Sequence, residues 1–246
     1  MIVNYPRMRQ HRAAWPNDLD TALEFSSVNL FSISAEKNWD GKLEYTNGSE
    51  WKTWDGSEIT SGKNGSNHCI YLRGEGNSKI TGVNSSSAKW SIVGTNIACN
   101  GDIDLLLDYS TVKSGNRPAM ANYCYSYMFR DCTSLTAAPS LPATTLTDYC
   151  YYFMFYGCTS LTAAPSLPAT TLTDRCYNSM FYGCKKIKLS TSRSGTYTKA
   201  YRIPKTGAGT MGTRSLDNMF VNTGGTFAGT PKININYYLD ESNIIV

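Results

Sequence analysis

A seventeen-letter string occurs twice in this chain, and it restricts the fold more than any other feature. Residues 132–148 read CTSLTAAPSLPATTLTD, and residues 158–174 read the same letters. A second string precedes each copy and recurs once more: YCYSYMFRDC from Tyr123, YCYYFMFYGC from Tyr149, RCYNSMFYGC from Arg175. Cys124, Cys150 and Cys176 set the period at 26 residues. A fixed period between about 20 and 50 residues marks a solenoid or array, whose units bury their apolar faces by stacking on one another.

Within the second unit Leu146, Cys150, Met154 and Cys158 recur every four residues, as do Met120, Cys124, Met128 and Cys132, and Leu172, Cys176, Met180 and Cys184. Residues four apart share a helix face. The spacing therefore predicts a helix-like half with a core stripe, Phe129, Phe155 and Phe181 beside it, and Asp148 and Asp174 as N-caps. The other half, LTAAPSLPATTLTD, is extended. Pro139, Pro142, Pro165 and Pro168 donate no ladder hydrogen bond, which limits strands to the few residues around Leu135, Thr136, Ala137 and their copies. The period then breaks. A Gly-, Ser- and Thr-rich insertion follows Ile187, and Met219-Phe220 of a degenerate unit lies 39 residues after Met180-Phe181. The tail KININYYLDESNIIV has the alternation of a closing strand or of one that pairs with another chain.

The expected fold class is mainly β: an antiparallel, sandwich-like β domain followed by a short leucine-rich-repeat-type β/α solenoid. Residues 1–21 form an arm, basic at Arg7, Arg9, His11 and Arg12, with Pro6, Trp15 and Pro16 breaking regular structure. Residues 22–98 alternate at period two, with LEFSSVNLFSIS, KLEYT, EWKTW, HCIYLR, SKITGV and KWSIV read as strands. Asp40-Gly41, Asn47-Gly48 and Asp55-Gly56 lie between them as turn signals. Trp39, Trp51, Trp54 and Trp90 read as core or edge packing, with a sugar platform as the alternative. Residues 99–119, with apolar Ile103 and Leu105 to Leu107, cap the start of the array. Residues 120–189 hold the repeats, and 190–246 the degenerate unit, a C-terminal cap and the final strand.

Composition narrows function by exclusion. Charged residues make up 17% and the net charge is only +4, without the basic stripe that reads nucleic acid. No apolar run nears the ~20 residues of a membrane-spanning helix. The N-terminus lacks an apolar secretory core, so assembly in a reducing compartment is expected, with the eight cysteines as free thiols. Their C-x7-C spacing is not that of a zinc site. Asp102, Asp104 and Asp108 lack the glycine and distal Glu of an EF-hand. With two histidines, His11 and His68, and no phosphate loop, neither catalysis, a cofactor nor a metal is expected.

The tyrosines are the candidates for binding. Tyr125, Tyr151 and Tyr177 recur at the repeat period beside the core stripe, and so do Tyr156 and Tyr182, with Arg130 in their place in the first unit. A column of flat, hydroxyl-bearing rings suits sugars or proteins; the plain alternative is that the rings merely cover the turn. Differences between the units, Arg130 against Tyr156 and Tyr182 and Tyr127 against Phe153 and Ser179, mark where specificity would lie. In the arm, Arg7, Arg9, Arg12 and Trp15 are candidates for docking onto a larger assembly.

The string LPATTLTDYCYYFMFYGCTSLT resembles the BspA-like leucine-rich repeats of bacterial surface proteins, whose pattern ends in Phe-x-x-Cys-x-x-Leu. Phe129, Cys132 and Leu135 fit it, as do Phe155, Cys158 and Leu161; Phe181, Cys184 and Ile187 fit with one conservative change. The resemblance implies a right-handed β-rich solenoid with a role in adhesion or ligand binding. The preceding EWKTWDGSEIT, IYLRGEGNSKITG and IACNGDIDLLLDY are similar to a leader module found before such repeats in gut Bacteroidales and their phages. Together the resemblances imply a phage virion protein of a head or tail appendage. Its partners would be other virion proteins through the arm and a host-surface glycan or protein through the repeats, and it would be a homo-oligomer. The alternative is a bacterial cell-surface adhesin.

Overall fold

The computed structural model describes residues 14–206 and 212–241. The protein is mainly β, with several sheets. The alternating N-terminal segment yields β1 (Leu23–Ser27), β2 (Ser32–Ser34), β3 (Lys42–Thr46), β4 (Lys52–Trp54), β5 (Ile59–Thr60), β6 (Gly62–Asn64), β7 (Asn67–Glu75), β8 (Ser91–Val93) and β9 (Ile97–Asn100). A helix, α1 (Leu105–Lys113), follows, then β10 (Leu135–Ala137), β11 (Lys188–Ser190), β12 (Tyr197–Tyr201), β13 (Gly224–Gly225) and β14 (Tyr237–Asp240).

β7 is central to the largest sheet, whose order is β10-β9-β1-β7-β3-β4. It pairs antiparallel with β1, Phe25 opposite Ile70, and with β3, Leu43 opposite Gly74. Strand alternation turns Leu23, Phe25, Leu43, Ile70 and Leu72 to the core, where all are buried. In the three-stranded sheet β5-β2-β8, Ile33, Ile59 and Ile92 join the same core. Trp39 stacks on Trp54 at 5.3 Å and Trp54 meets Trp90 edge-on at 5.1 Å. All three are buried, so they are core and not a sugar platform. The segment SKITGV is a loop, not a strand, and Ile80 and Thr81 donate their N–H groups to the carbonyl of Cys124. Of the three turn glycines, only Gly56 takes a positive φ, 100°. Gly41 is needed for space, since a Cβ there would lie 2.5 Å from the Glu75 carbonyl oxygen.

One buried cation holds several elements together. The Arg73 side chain is 10% exposed and bonds to Asp18 at 2.5 Å and Glu44 at 3.0 Å. Its guanidinium lies 3.9 Å from the ring centre of Trp51 and 4.4 Å from that of Tyr109. Paired on its edge and covered on its faces, the charge is compensated. It joins the chain before β1 to β3, β7 and α1.

In the repeats, the helix expected from the four-residue spacing is replaced by a chain of tight turns. A residue with positive φ recurs every fourth position: Tyr123, Tyr127, Asp131; Tyr149, Phe153, Gly157; Arg175, Ser179, Gly183; Arg214, Asn218, Asn222. Each non-glycine costs about 1 kcal/mol or more there. The compensation is a complete sharing of hydrogen bonds. Within a turn Arg130 N–H donates to Tyr127 O and Cys132 N–H to Phe129 O. Between coils Tyr123, Tyr125, Tyr127, Phe129 and Asp131 donate to the carbonyls of Asp148, Cys150, Tyr152, Met154 and Tyr156, each 25 residues ahead. The next coil donates forward in the same way, and the third coil donates to the fourth at an offset of 38. Asp148 and Asp174 are therefore not helix N-caps. They form a side-chain ladder in which Asp174 N–H donates to Asp148 Oδ1 at 3.0 Å and Asp148 N–H to Asn122 Oδ1 at 3.2 Å.

Side chains stack with the same offset. Phe129, Phe155, Phe181 and Phe220 form a buried column at 5.4, 5.6 and 5.3 Å between ring centres. The degenerate unit is thus a true fourth coil, and its longer offset is taken up by β12. Its open end is closed by the chain that follows: Phe220 N–H donates to Gly229 O and Asn218 N–H to Thr230 Oγ1. The expected closing strand is present as β14, between β11 and β12. Of the expected repeat strands, β10 forms, the copy at residues 161–163 does not, and the third copy forms a residue later as β11.

The boundary placed after residue 98 falls inside β9. That strand pairs antiparallel with β1 and parallel with β10, so the sheet passes into the array without a seam, and one hydrophobic cluster runs from Leu23 to Leu239. α1 lies against β7, where a Cβ on Gly74 would come 1.6 Å from Leu106 O, and the residues that lead into it reach the first coil, Ile103 N–H donating to Ser140 O at 3.2 Å. Replacing Phe155 by Ala opens the column at its middle and should cost about 3–5 kcal/mol. Denaturant unfolding followed by circular dichroism measures this, with one cooperative transition for the whole chain.

Candidate functional site

The four-residue turns set which side chains face out. Two consecutive residues point into the core and the next two point away. In the second coil Cys150-Tyr151 and Met154-Phe155 are buried, while Tyr152-Phe153 and Tyr156-Gly157 are half-buried at the surface. Tyr125, Tyr151 and Tyr177 are therefore not a ligand-facing column. They are 0%, 1% and 1% exposed and stack at 5.6 and 5.8 Å inside the array. In a helix the residue after Cys150 would lie well off the stripe; in this turn chain it points inward with it.

The outward pairs form one continuous aromatic face. Tyr123 contacts Tyr149 at 4.6 Å, Tyr149 meets Tyr152 at 5.3 Å, and Tyr152 touches both Tyr127, at 5.5 Å, and Phe153, at 4.4 Å. Phe153 packs on Tyr156 at 5.1 Å, and Tyr156 stacks on Tyr182 at 4.8 Å with planes 6° apart. Asn222 of the fourth coil donates to the Tyr182 hydroxyl at 3.0 Å. Two arginines belong to the face. Arg130 lies 5.1 Å from the Tyr156 ring centre and 5.4 Å from that of Tyr127. Arg175 lies 5.2 Å from the Tyr149 ring centre and donates to the Tyr149 hydroxyl. The candidates Arg130, Tyr156 and Tyr182 are thus brought together here. The face also includes Tyr123, Tyr149, Tyr152 and Arg175, which a helical reading did not select. Their signal is the in-in-out-out alternation around Cys and Met.

Of the arm candidates, Arg7, Arg9 and Arg12 lie outside the described residues. Trp15 is committed to its own chain. It packs edge-on against Tyr71 at 5.4 Å and donates to the Lys63 carbonyl at 3.3 Å. With Leu19 and Trp51 it covers Ala22, Cys69 and Tyr71 on the outer side of the sheet.

The acidic cluster of Asp102, Asp104 and Asp108 at the start of α1 is structural. Burial pushes the Asp108 carboxyl up, but the Ser110 hydroxyl, and after it the N–H groups of Gly76 at 2.9 Å and Thr111 at 2.8 Å, outweigh it and hold the carboxyl down at about 2. Asp102 and Asp104 both bind Arg117. The Asp104 side chain is 2% exposed; burial and then the neighbouring Asp102 push its carboxyl up to about 6, against hydrogen bonds from Tyr125 and Arg117. All eight cysteines are free and buried. Desolvation pushes the thiols of Cys132 and Cys176 up to about 12, which disfavours the reactive thiolate. Cys158 and Cys184 donate instead to the carbonyls of Phe129 and Phe155 one coil back, at 2.9 and 3.0 Å. Among the described residues no group of three or more His, Cys, Asp or Glu is placed to hold a metal ion, and no helix is long and apolar enough to cross a membrane. No protein-family model, curated protein or solved structure matches this chain.

The buried tyrosines predict two substitutions of opposite sign. Tyr125 OH donates to Asp104 Oδ1 at 3.1 Å and is within 3.3 Å of Ile103 O, whereas Tyr151 OH is buried without a partner among the described residues. Tyr151→Phe should stabilise the protein by about 1 kcal/mol, and Tyr125→Phe should destabilise it by a similar amount. Chemical denaturation of both variants measures the difference.

Asp104 predicts a pH dependence. Its carboxyl titrates higher folded, at about 6, than the ordinary 3.8. The folded state therefore binds a proton that the unfolded chain has released, and this group's contribution to stability rises as pH falls from 7 to 5. The Asp104→Asn variant should lack that component, which comparison of unfolding midpoints at the two pH values tests.

Proposed function

We propose that this chain is a non-enzymatic component of a phage virion, a head or tail appendage that attaches to the host surface through its repeats. The stacked coils are those of a short leucine-rich-repeat-type solenoid of the BspA-like kind, built on a sandwich-like β base. The observation that carries the binding role is the continuous outward face running from Tyr123 to Tyr182 with Arg130 and Arg175 in it. A core needs none of these side chains, yet their rings touch in an unbroken series across three coils. Half-exposed tyrosines offer flat apolar surface with a hydroxyl at the edge, which suits a host glycan or a protein. Docking to other virion proteins falls to the arm around Arg7, Arg9 and Arg12, since Trp15 is used internally. Exposed Val28, Leu30 and Val93, at 68%, 59% and 60%, are brought near one another by the Ser32–Val93 pairing and the Asn29–Thr95 bond. They suit the homo-oligomer expected of an appendage.

Two experiments test the proposal. Mass spectrometry of purified virions should find the protein; its absence there would remove the virion assignment. A glycan array and host-cell binding assay should show binding by the wild type and a loss of about tenfold or more, about 1.4 kcal/mol, in the Tyr156→Ala, Tyr182→Ala double variant. Unchanged binding by that variant would remove the aromatic face from the mechanism.

A further inference from the structure

The break in period that lengthens the offset to the fourth coil also interrupts the strands. β10 is the outer edge of the largest sheet, and Thr162 of the next coil adds to it with one backbone bond, N–H to Thr136 O at 3.2 Å. Parallel addition stops there. The third coil's strand, β11, pairs with β13 on one side and β14 on the other, and β12 forms the edge of that second sheet. A groove of about 630 Å³ opens between the two edges, lined among others by Asn100, Thr136, Ala163, Ala164, Lys186 and Lys199.

Three properties of this groove converge. The backbone N–H groups of Ala163, Ala164 and Ser166 have no hydrogen-bond partner among the described residues; Ala164 is only 6% exposed, Ala163 is half-buried and Ser166 is exposed. An unpaired N–H at a buried residue costs free energy that an added acceptor would recover. The walls carry alanine, threonine, serine and asparagine, small enough for another backbone to approach. Lys186 and Lys199 are exposed and have no ion-pair partner among the described residues, and no Asp or Glu lines the groove.

We propose that this groove receives an extended acidic segment of a partner protein, added as a strand between β12 and the Thr162 edge. Thr162 points its own N–H back to Thr136, so in the extended chain the next N–H, that of Ala163, faces the groove; the peptide's carbonyls accept there, and its carboxylates reach Lys186 and Lys199. Addition to an open edge takes its affinity from the main chain and its selectivity from side chains. A lysine on an edge strand opposes pairing with a neutral strand, so the edge is closed to indiscriminate pairing and open to an acidic one. The site is separate from the aromatic face and does not rest on the host-binding role.

The test uses the full chain and a fluorescein-labelled peptide of alternating Glu and Val, followed by fluorescence anisotropy at low salt. Saturable binding is expected, weakened by about tenfold or more when Lys186→Glu and Lys199→Glu are combined. The same loss is expected from Ala163→Tyr, which fills the groove and leaves its charge unchanged; a Lys and Val peptide of equal length should not bind. The charge reversals are on exposed side chains, so the double variant should unfold at the wild-type temperature. The proposal is overturned if the acidic peptide does not bind saturably, or if the double variant binds as well as the wild type. Tighter binding of oligogalacturonate than of the peptide would also overturn it, by making the groove a site for acidic glycan.

Discussion

The structure depends on how the repeat coils divide their backbone hydrogen bonds. Alternate N–H groups close tight turns within a coil, and those between them reach forward to the next coil's carbonyls. Neither set suffices alone. An isolated coil would leave every second donor unpaired, which is too costly for a buried chain. The forward bonds also fix the register, so like residues stack: Phe on Phe, Tyr on Tyr, Asp beside Asp. The left-handed positions required every fourth residue are tolerated because this ladder over-determines them. At Asp131, Asn218 and Asn222 side chains that accept that conformation ease the cost, as glycine does at Gly157 and Gly183.

That arrangement explains what was legible in the sequence and what was not. The core stripe of Cys, Met, Phe and Leu was legible, because its burial follows from apolar recurrence whatever the backbone does. The helix was not, since a four-residue repeat fits both a helix of 3.6 residues per turn and a chain of four-residue turns over so short a stretch. The assignment of Tyr125, Tyr151 and Tyr177 failed for the same reason. A helical wheel rotates a residue about 100° from its predecessor, while here two successive residues share the inward direction. The outward face was legible in part: Arg130, Tyr156 and Tyr182 were found through differences between copies, whereas Tyr152 required the in-in-out-out pattern to be known.

In the β domain the strands were legible wherever apolar residues alternate toward the core, as in β1, β3 and β7, although β7 is buried on both faces. SKITGV alternates equally well, yet it serves as backbone donor to the first coil. Single-sequence pattern does not distinguish a strand from a loop whose donors go to a repeat coil. The separation into base and array was likewise misplaced at β9, because a strand with antiparallel pairing on one side and parallel pairing on the other belongs to both.

The forward bonds also give the array a polarity. The β domain presents donors, Ile80, Thr81 and Trp90, to the carbonyls of the first coil, and the far end is met by acceptors, Gly229 O and Thr230 Oγ1. Each coil takes in donors on one side and presents donors on the other. A whole coil inserted or deleted between the ends would leave both closures chemically unchanged. The verbatim seventeen-letter copies are therefore interchangeable parts, and such a molecule can change its reach in steps of one coil while its base and its cap stay as they are.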